Sequence, residues 1–117
     1  MPVVQGRTRK QIRVSVGYNL QALYVSSTTS SVDATSVVDT TLRGGDDAHN
    51  GKWMVQTSGT NDEEIRQISD YTQSSTDMTV APAFSNTVAS GATYELWNEQ
   101  YNPARINDFI DQAIIEV

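Results

Sequence analysis

Cysteine is absent from this chain of 117 residues, and histidine occurs once, at His49. Without cysteine there is no disulfide scaffold, no thiolate metal site and no cysteine nucleophile. Long apolar runs are absent too, since no stretch approaches the roughly 18 apolar residues of a membrane span. Residues 1–6 lack the apolar region of a signal peptide. We therefore expect a soluble protein that is made in the cytoplasm.

Acidic residues are missing from the first part of the chain, where none occurs before Asp33. Half of the basic residues lie there, at Arg7, Arg9, Lys10 and Arg13. Residues 1–13 therefore carry a charge of +4 and the remainder −10, within a net charge of −6. Because an acidic body repels phosphate, we expect no nucleic-acid partner. We interpret the basic segment either as a solvated terminus or as an arm that binds an acidic surface of another subunit.

Length and composition predict one globular domain. Hydrophobic residues make up 38% of the chain and charged residues 19%, which is too apolar for a disordered protein. A chain of this size buries about two-thirds of its unfolded surface on folding. We divide it into a basic N-terminal arm (1–13), a β domain (14–101) and a C-terminal amphipathic helix (102–117) of the same domain.

The segment from 8 to about 21 has an apolar pattern that fits two structures. Ile12, Val16 and Leu20 recur every four residues, as on one face of a helix, whereas every second residue from 14 to 20 is also apolar, as in a strand. Thr8 is a suitable N-cap residue, and Gly17 weakens any helix. We favour a helix.

Alternating apolar residues and turn residues predict strands near 23–26, 36–42, 52–58, 64–69, 78–80 and 92–98, with a loop at 44–51. Ile65 and Ile68 break the alternation, which indicates a bulge or a two-faced strand. Pro82 should end the strand before it. The pattern predicts a mainly β fold, a small antiparallel β-sandwich or barrel. We expect its core to contain Trp53, Val55, Ile68, Val80, Tyr94, Leu96 and Ile106.

The C-terminal residues change to a helical period. Asn102 and Pro103 form an N-cap followed by proline at the first helical position, which predicts a helix over 103–116. Its apolar positions are Ile106, Phe109, Ile110, Ala113, Ile114 and Val117. No glycine caps its end, so we expect either a fragment of a longer protein or an apolar end that packs on a partner. The predicted assembly interface comprises Arg7, Arg9, Lys10, Arg13, Ile110 and Ile114.

The residues that catalysis would require are few. His49 is the only histidine, and we interpret it as an exposed residue of a Gly/Asp-rich turn, where a catalytic base would not be held in place. Asp46, Asp47 and Asn50 add metal-ligand types, but their spacing is not that of a calcium loop, and one histidine is too few for a usual zinc site. The sequence therefore predicts a protein that is not an enzyme and has no cofactor.

Several short motifs follow one another along the second half of the chain. They are Asn50-Gly51-Lys52-Trp53-Met54-Val55, Thr57-Ser58-Gly59-Thr60, Arg66-Gln67-Ile68-Ser69-Asp70-Tyr71, Met78-Thr79-Val80-Ala81-Pro82-Ala83-Phe84, Ser90-Gly91-Ala92-Thr93-Tyr94-Glu95-Leu96, and Ile106-Asn107-Asp108-Phe109-Ile110-Asp111-Gln112-Ala113-Ile114. This ordered series, within residues 36–114, resembles a pattern of structural proteins in tailed-bacteriophage virions. The resemblance implies a β domain with flanking helices that assembles in many copies, at the neck, the tail or the capsid surface. It implies no catalytic or ligand residues.

We therefore expect a virion protein, made in the host cytoplasm, that forms homo-oligomers and contacts other virion proteins through the basic arm and the apolar C-terminal helix. A carbohydrate- or surface-binding β-sandwich module is the alternative, with Trp53, Tyr94, Trp97 and Tyr101 as its aromatic residues. A small metal-dependent hydrolase built on Asp46, Asp47 and His49 is the third hypothesis.

Overall fold

The computed structural model describes residues 7–31 and 33–115. Its helices and strands follow the chain in the order α1 (Arg9–Asn19), β1 (Leu23–Ser27), β2 (Ser36–Val38), β3 (Trp53–Gln56), β4 (Ile65–Thr72), β5 (Asp77–Ala81), β6 (Thr93–Trp97) and α2 (Pro103–Ile115). The six strands form an antiparallel sheet with one helix before it and one after it. The predicted mainly β architecture with two terminal helices is confirmed at this level.

Helix α1 begins with a reciprocal cap. The Gln11 backbone N–H donates to Thr8 Oγ1 over 3.1 Å, and the Thr8 N–H donates to Gln11 Oε1 over 2.9 Å. This capping box satisfies two free amides and favours the helix over the alternating strand pattern.

Gly17 has a packing role, because a Cβ atom there would lie 2.7 Å from Leu23 Cβ and 2.9 Å from the Trp97 ring. Its lack of a side chain lets α1 lie directly on the sheet.

The sheet has the strand order β1-β6-β3-β4-β5-β2. Consecutive strands β3, β4 and β5 form a meander, and β6 lies between β1 and β3, so that Trp97 is opposite both Leu23 and Trp53. The register of β4 against β5 shifts between Ile68 and Asp70, which confirms the predicted irregularity as a bulge. Strand β2, expected to extend to residue 42, ends at Val38.

The residues that follow β1 also bond to the other edge strand, β2. The Thr29 N–H donates to Val38 O over 2.7 Å, and the Val38 N–H donates to Ser30 O over 3.1 Å. Asp39, which is 1% exposed, adds a side-chain link at this point: it accepts from Ser26 Oγ at 2.6 Å and from Tyr94 Oη at 2.5 Å. Burial raises the pKa of Asp39, but hydrogen bonds from Ser26, Thr41 and Tyr94 outweigh it and hold the pKa below its ordinary value.

The sheet is packed on both faces. A large apolar cluster includes Val37, Met54, Ile68, Val80, Tyr94 and Leu96. A smaller cluster of Ala22, Val55 and Trp97, with the partly buried residues Leu23, Trp53, Ile65, Tyr101 and Ile106, lies on the side of α2. Of the predicted core residues, Val55, Ile68, Val80, Tyr94 and Leu96 are buried, while Trp53 and Ile106 are partly buried.

Helix α2 begins where the Ala104 N–H donates to Asn102 Oδ1 over 2.9 Å. It packs against α1 in the antiparallel direction, since Asp111 contacts Arg9 and Asn107 contacts Arg13. The predicted apolar face is divided: Ile110 is buried, whereas the Phe109 side chain is 69% exposed. Neither helix, within the described residues, has the length and apolar content that crossing a membrane requires.

Candidate functional site

Arg13, which is fully buried, lies at the centre of an ion cluster. Its Nε and Nη2 donate to the two Glu95 carboxylate oxygens at 2.8 and 2.7 Å, and its Nη1 and Nη2 donate to Glu63 at 2.8 and 2.7 Å. Its Nη1 also donates to Asn107 Oδ1 at 2.9 Å. All five N–H donors of the guanidinium are therefore used. We call Arg13, Glu63, Glu95 and Asn107 the Arg13 cluster.

The Arg13 cluster is held from several elements. Glu95, on β6 and 1% exposed, also accepts from Trp97 Nε1 at 2.9 Å. Glu63 precedes β4 in the left-handed region, with φ of 70°, and its N–H donates to Gln56 O over 2.6 Å. Hydrogen bonding from Arg13 holds the pKa of Glu63 below its ordinary value. Because every polar group of the guanidinium is satisfied within the chain, the cluster is a structural joint between α1, the sheet and α2.

The rest of the basic segment is also paired within the chain. Arg9 contacts Asp111 at 3.0 Å and Glu63 at 3.5 Å, and Lys10 contacts Asp62 at 3.1 Å and Thr57 O at 2.7 Å. Arg7 donates to Ser15 Oγ at 2.8 Å.

The interface prediction is wrong for two residues that are buried within the chain. Arg13 has no exposed surface with which to reach a neighbouring copy, because its donors face Glu63, Glu95 and Asn107. Ile110 is 6% exposed, because it faces the interior from α2. The side chain of Ile114 lies outside the described residues.

The predicted exposed position of His49 is also wrong, since the residue is 8% exposed. Its ring meets Tyr71 edge to face, with centroids 4.7 Å apart. The Lys52 ammonium lies 3.0 Å from Nδ1 and can only donate, so Nδ1 accepts and the protonated Nε2 donates to Arg43 O at 2.6 Å. Burial lowers the pKa of His49, and the Lys52 charge lowers it further. The imidazole therefore holds the 43–52 loop together in its neutral form.

A pocket of about 230 Å³ opens beside this histidine. We call it the seam pocket, because it lies between strands β1 and β6 on one side and the loop after β2 on the other. It is lined by Tyr24, Leu42, Arg43, His49, Lys52 and Leu96. The sequence reasoning missed it, because its residues come from four separate segments of the chain.

Two observations bear on the residues of the two alternative hypotheses. Within 7–31 and 33–115, no three His, Asp or Glu side chains come together as ligands for a metal ion. Asp46 accepts from the Gln73 N–H at 2.8 Å. Tyr94 and Trp97 are fully buried, so they cannot form an aromatic binding platform at the surface.

Strand β1 leaves part of its outer side unpaired. Just after β1, the Thr28 N–H donates to Ala92 O over 2.8 Å. The backbone N–H and C=O groups of the even-numbered residues of β1 therefore point toward β6, and those of the odd-numbered residues point away from it. The Thr29 N–H, on the outward side, bonds to Val38. The backbone groups of Val25 and Ser27 also point away from β6, and in the described part of the chain no strand pairs with them. We call these two residues the open edge.

Exposed apolar side chains lie on and near the open edge. Tyr24 is 42% exposed and Val25 41%, and the preceding end of α1 adds Tyr18 at 55% and Leu20 at 42%.

Comparisons with protein-family models, with curated proteins and with solved structures gave no match.

Proposed function

We propose that this chain is a non-enzymatic structural protein of a tailed-bacteriophage virion that assembles in multiple copies. The ordered motifs within residues 36–114 support the virion assignment. The single structural observation that carries self-assembly is the open edge, where the outward backbone N–H and C=O groups of Val25 and Ser27 pair with no strand of the described residues. Such an edge pairs readily with another strand.

Charge favours a second copy as the partner of the open edge. The chain carries a net charge of −6, so two copies repel each other over most of their surfaces. Residues 14–32 contain no charged side chain, and this is the longest uncharged stretch of the sequence. It includes the C-terminal part of α1 and all of β1. Two β1 strands can therefore approach with little repulsion and join two sheets into one.

We further infer that the sheet closes into a barrel rather than a sandwich. The backbone bonds between Thr29, Ser30 and Val38 join the end of β1 to β2, which supports closure. The unpaired part of β1 then lies along an incomplete seam of that barrel, where it remains available to a partner.

Lysine at position 25 tests the assembly surface. Val25→Lys places a charge on the open edge, and we expect it to shift the oligomer to the monomer in sedimentation velocity runs. Phe109→Lys is the matched control, because it makes the same type of change on α2, at a side chain that is 69% exposed. Equal association of Val25→Lys and the wild type, or a wild type that stays monomeric, contradicts assembly through this edge.

Mass spectrometry of purified particles tests the virion assignment separately. We expect the protein in multiple copies per particle. Its absence from intact particles of the phage that encodes it contradicts the assignment.

A further inference from the structure

We propose that the seam pocket binds a small organic carboxylate with an apolar or aromatic body. In the part of the chain that the structure describes, four basic side chains make no ion pair: Arg7, Arg43, Lys52 and Arg105. Two of these four, Arg43 and Lys52, line the same pocket. A protein with 14 acidic residues thus keeps two cations together without a carboxylate.

The neutral His49 imidazole holds the Lys52 ammonium and the backbone of Arg43 in place. It accepts from Lys52 Nζ at 3.0 Å and donates to the Arg43 carbonyl at 2.6 Å. An ammonium has three donors, so two N–H groups of Lys52 remain for a ligand, and the Arg43 side chain makes no hydrogen bond within the described residues. Burial lowers the pKa of Lys52, which means that its charge is incompletely solvated. An anion in the pocket would stabilise that charge.

The remaining walls select the body of the ligand. Leu42 and Leu96 are 5% and 3% exposed and form an apolar surface, and the ring of Tyr24 is half exposed. Pockets for drug-sized ligands are typically about 300–1,000 Å³. At about 230 Å³, the seam pocket suits a smaller molecule. A carboxylate on an apolar body meets both the cations and the leucines, whereas inorganic phosphate leaves the apolar walls without a partner.

Benzoate is a suitable probe, with benzamide as its neutral isostere and inorganic phosphate as an anion without an apolar body. In NMR titrations we expect benzoate to shift the methyl signals of Leu42 and Leu96 in a saturable manner. Benzamide, which lacks the charge, should bind at least about tenfold more weakly, because it loses a charged hydrogen bond. Phosphate, which lacks the apolar body, should also bind at least about tenfold more weakly, because it loses the contact with the leucines. Absence of saturable shifts with benzoate, or equal binding of benzamide or phosphate, overturns the proposal.

Two substitutions localise the binding. Arg43→Gln should weaken benzoate binding by about tenfold, and Lys52→Met should do the same. Arg105→Gln is the matched control, because it removes one charge from α2, outside the pocket, and should leave the affinity within about twofold. The signal of His49, the only histidine, reports whether the pocket keeps its structure in Arg43→Gln and Arg105→Gln, whose side chains do not contact the imidazole. If Arg43→Gln, with an unchanged His49 signal, binds benzoate as tightly as Arg105→Gln, the site is not the seam pocket.

Discussion

Arg13 illustrates how this fold accommodates a buried charge. Its side chain is 0% exposed, and two carboxylates and one amide oxygen satisfy it. Burial lowers the pKa of Arg13, but the hydrogen bonds to Glu63 and Glu95 outweigh this effect and raise it. Glu95 depends on the pair as well, because at 1% exposure it has little access to water. Removing either partner would therefore leave the other charge buried without compensation.

We predict that Arg13→Met destabilises the fold by about 3–5 kcal/mol, because it leaves the Glu95 carboxylate buried without a cation. Arg9→Met is the matched control: the Arg9 side chain is 38% exposed, and its loss should cost less than about 1 kcal/mol. Urea unfolding followed by tryptophan fluorescence measures both. Equal losses in the two variants would show that the Arg13 cluster is no more important than a surface ion pair.

His49 should make stability depend on pH just below neutrality. Its pKa in the folded chain lies below the ordinary 6.5, because burial, and to a lesser extent Lys52, oppose the charged form. The unfolded chain then binds more protons, so stability is fully present above about pH 6.5 and falls as the pH drops through this value toward the folded pKa. We expect the unfolding free energy of the wild type to decrease between about pH 7 and pH 5.5, whereas that of His49→Gln changes less over the same range.

The lone histidine makes this prediction direct to check. A single Hε1 signal reports the folded pKa in an NMR titration of the wild type. A midpoint at or above 6.5 contradicts the buried, neutral imidazole, as does a His49→Gln variant that loses as much stability on acidification as the wild type.

The elements could be predicted where local chemistry decides them. Thr8 and Gln11 define the start of α1, and Asn102 with Pro103 defines the start of α2, because capping and proline geometry act over a few residues. The sequence predicts a longer β2 because the apolar Leu42 extends the strand pattern. In the structure, Leu42 is buried in the large core cluster but pairs with no strand. Apolarity alone does not distinguish these two situations.

The candidate site was less accessible to sequence reasoning than the elements. The Arg13 cluster joins residues 50, 82 and 94 positions apart, and the ring of His49, in the 43–52 loop, packs against Tyr71 of β4. One signal was available: Glu95 lies between two apolar strand residues, where a charge needs a buried partner. The identity of that partner depends on how α1 packs against β6.

Gly17 allows a test at the level of the α1–sheet contact. In an exposed helix Gly→Ala stabilises by up to about 1 kcal/mol. Here the added methyl group would lie 2.7–2.9 Å from Leu23 and Trp97. We therefore expect Gly17→Ala to destabilise the protein by about 1 kcal/mol or more, because overpacking outweighs the helix propensity.

Asn19→Ala is the control for Gly17→Ala, because Asn19 is an exposed residue of the same helix. We expect it to be neutral or to stabilise the fold by up to about 0.5 kcal/mol. Thermal unfolding distinguishes the two, and a Gly17→Ala variant more stable than the wild type would mean that α1 does not pack closely on the sheet.

For the whole molecule, the basic N-terminal segment pairs within its own chain, whereas the sequence predicts that it binds another copy. The +4 of residues 1–13 and the −10 of the remainder predicted an arm that binds a neighbouring copy. In the structure, Arg9, Lys10 and Arg13 instead pair with carboxylates of their own chain. The surplus of −6 then repels other copies, which leaves uncharged surfaces such as the open edge as the favourable contacts.

Salt dependence distinguishes these two modes of assembly. Association through the open edge is opposed by repulsion between two acidic molecules, and salt screens that repulsion, with a Debye length of about 10 Å at 0.1 M. We therefore expect association to strengthen between about 0.05 and 0.5 M NaCl, whereas association through a basic arm would weaken. Sedimentation velocity over this range measures the change, with Val25→Lys as a control that should remain monomeric throughout. Weaker wild-type association at higher salt would contradict assembly through the open edge and support association through the basic segment. Arg7, which makes no ion pair in the described residues, would then be the first side chain to substitute.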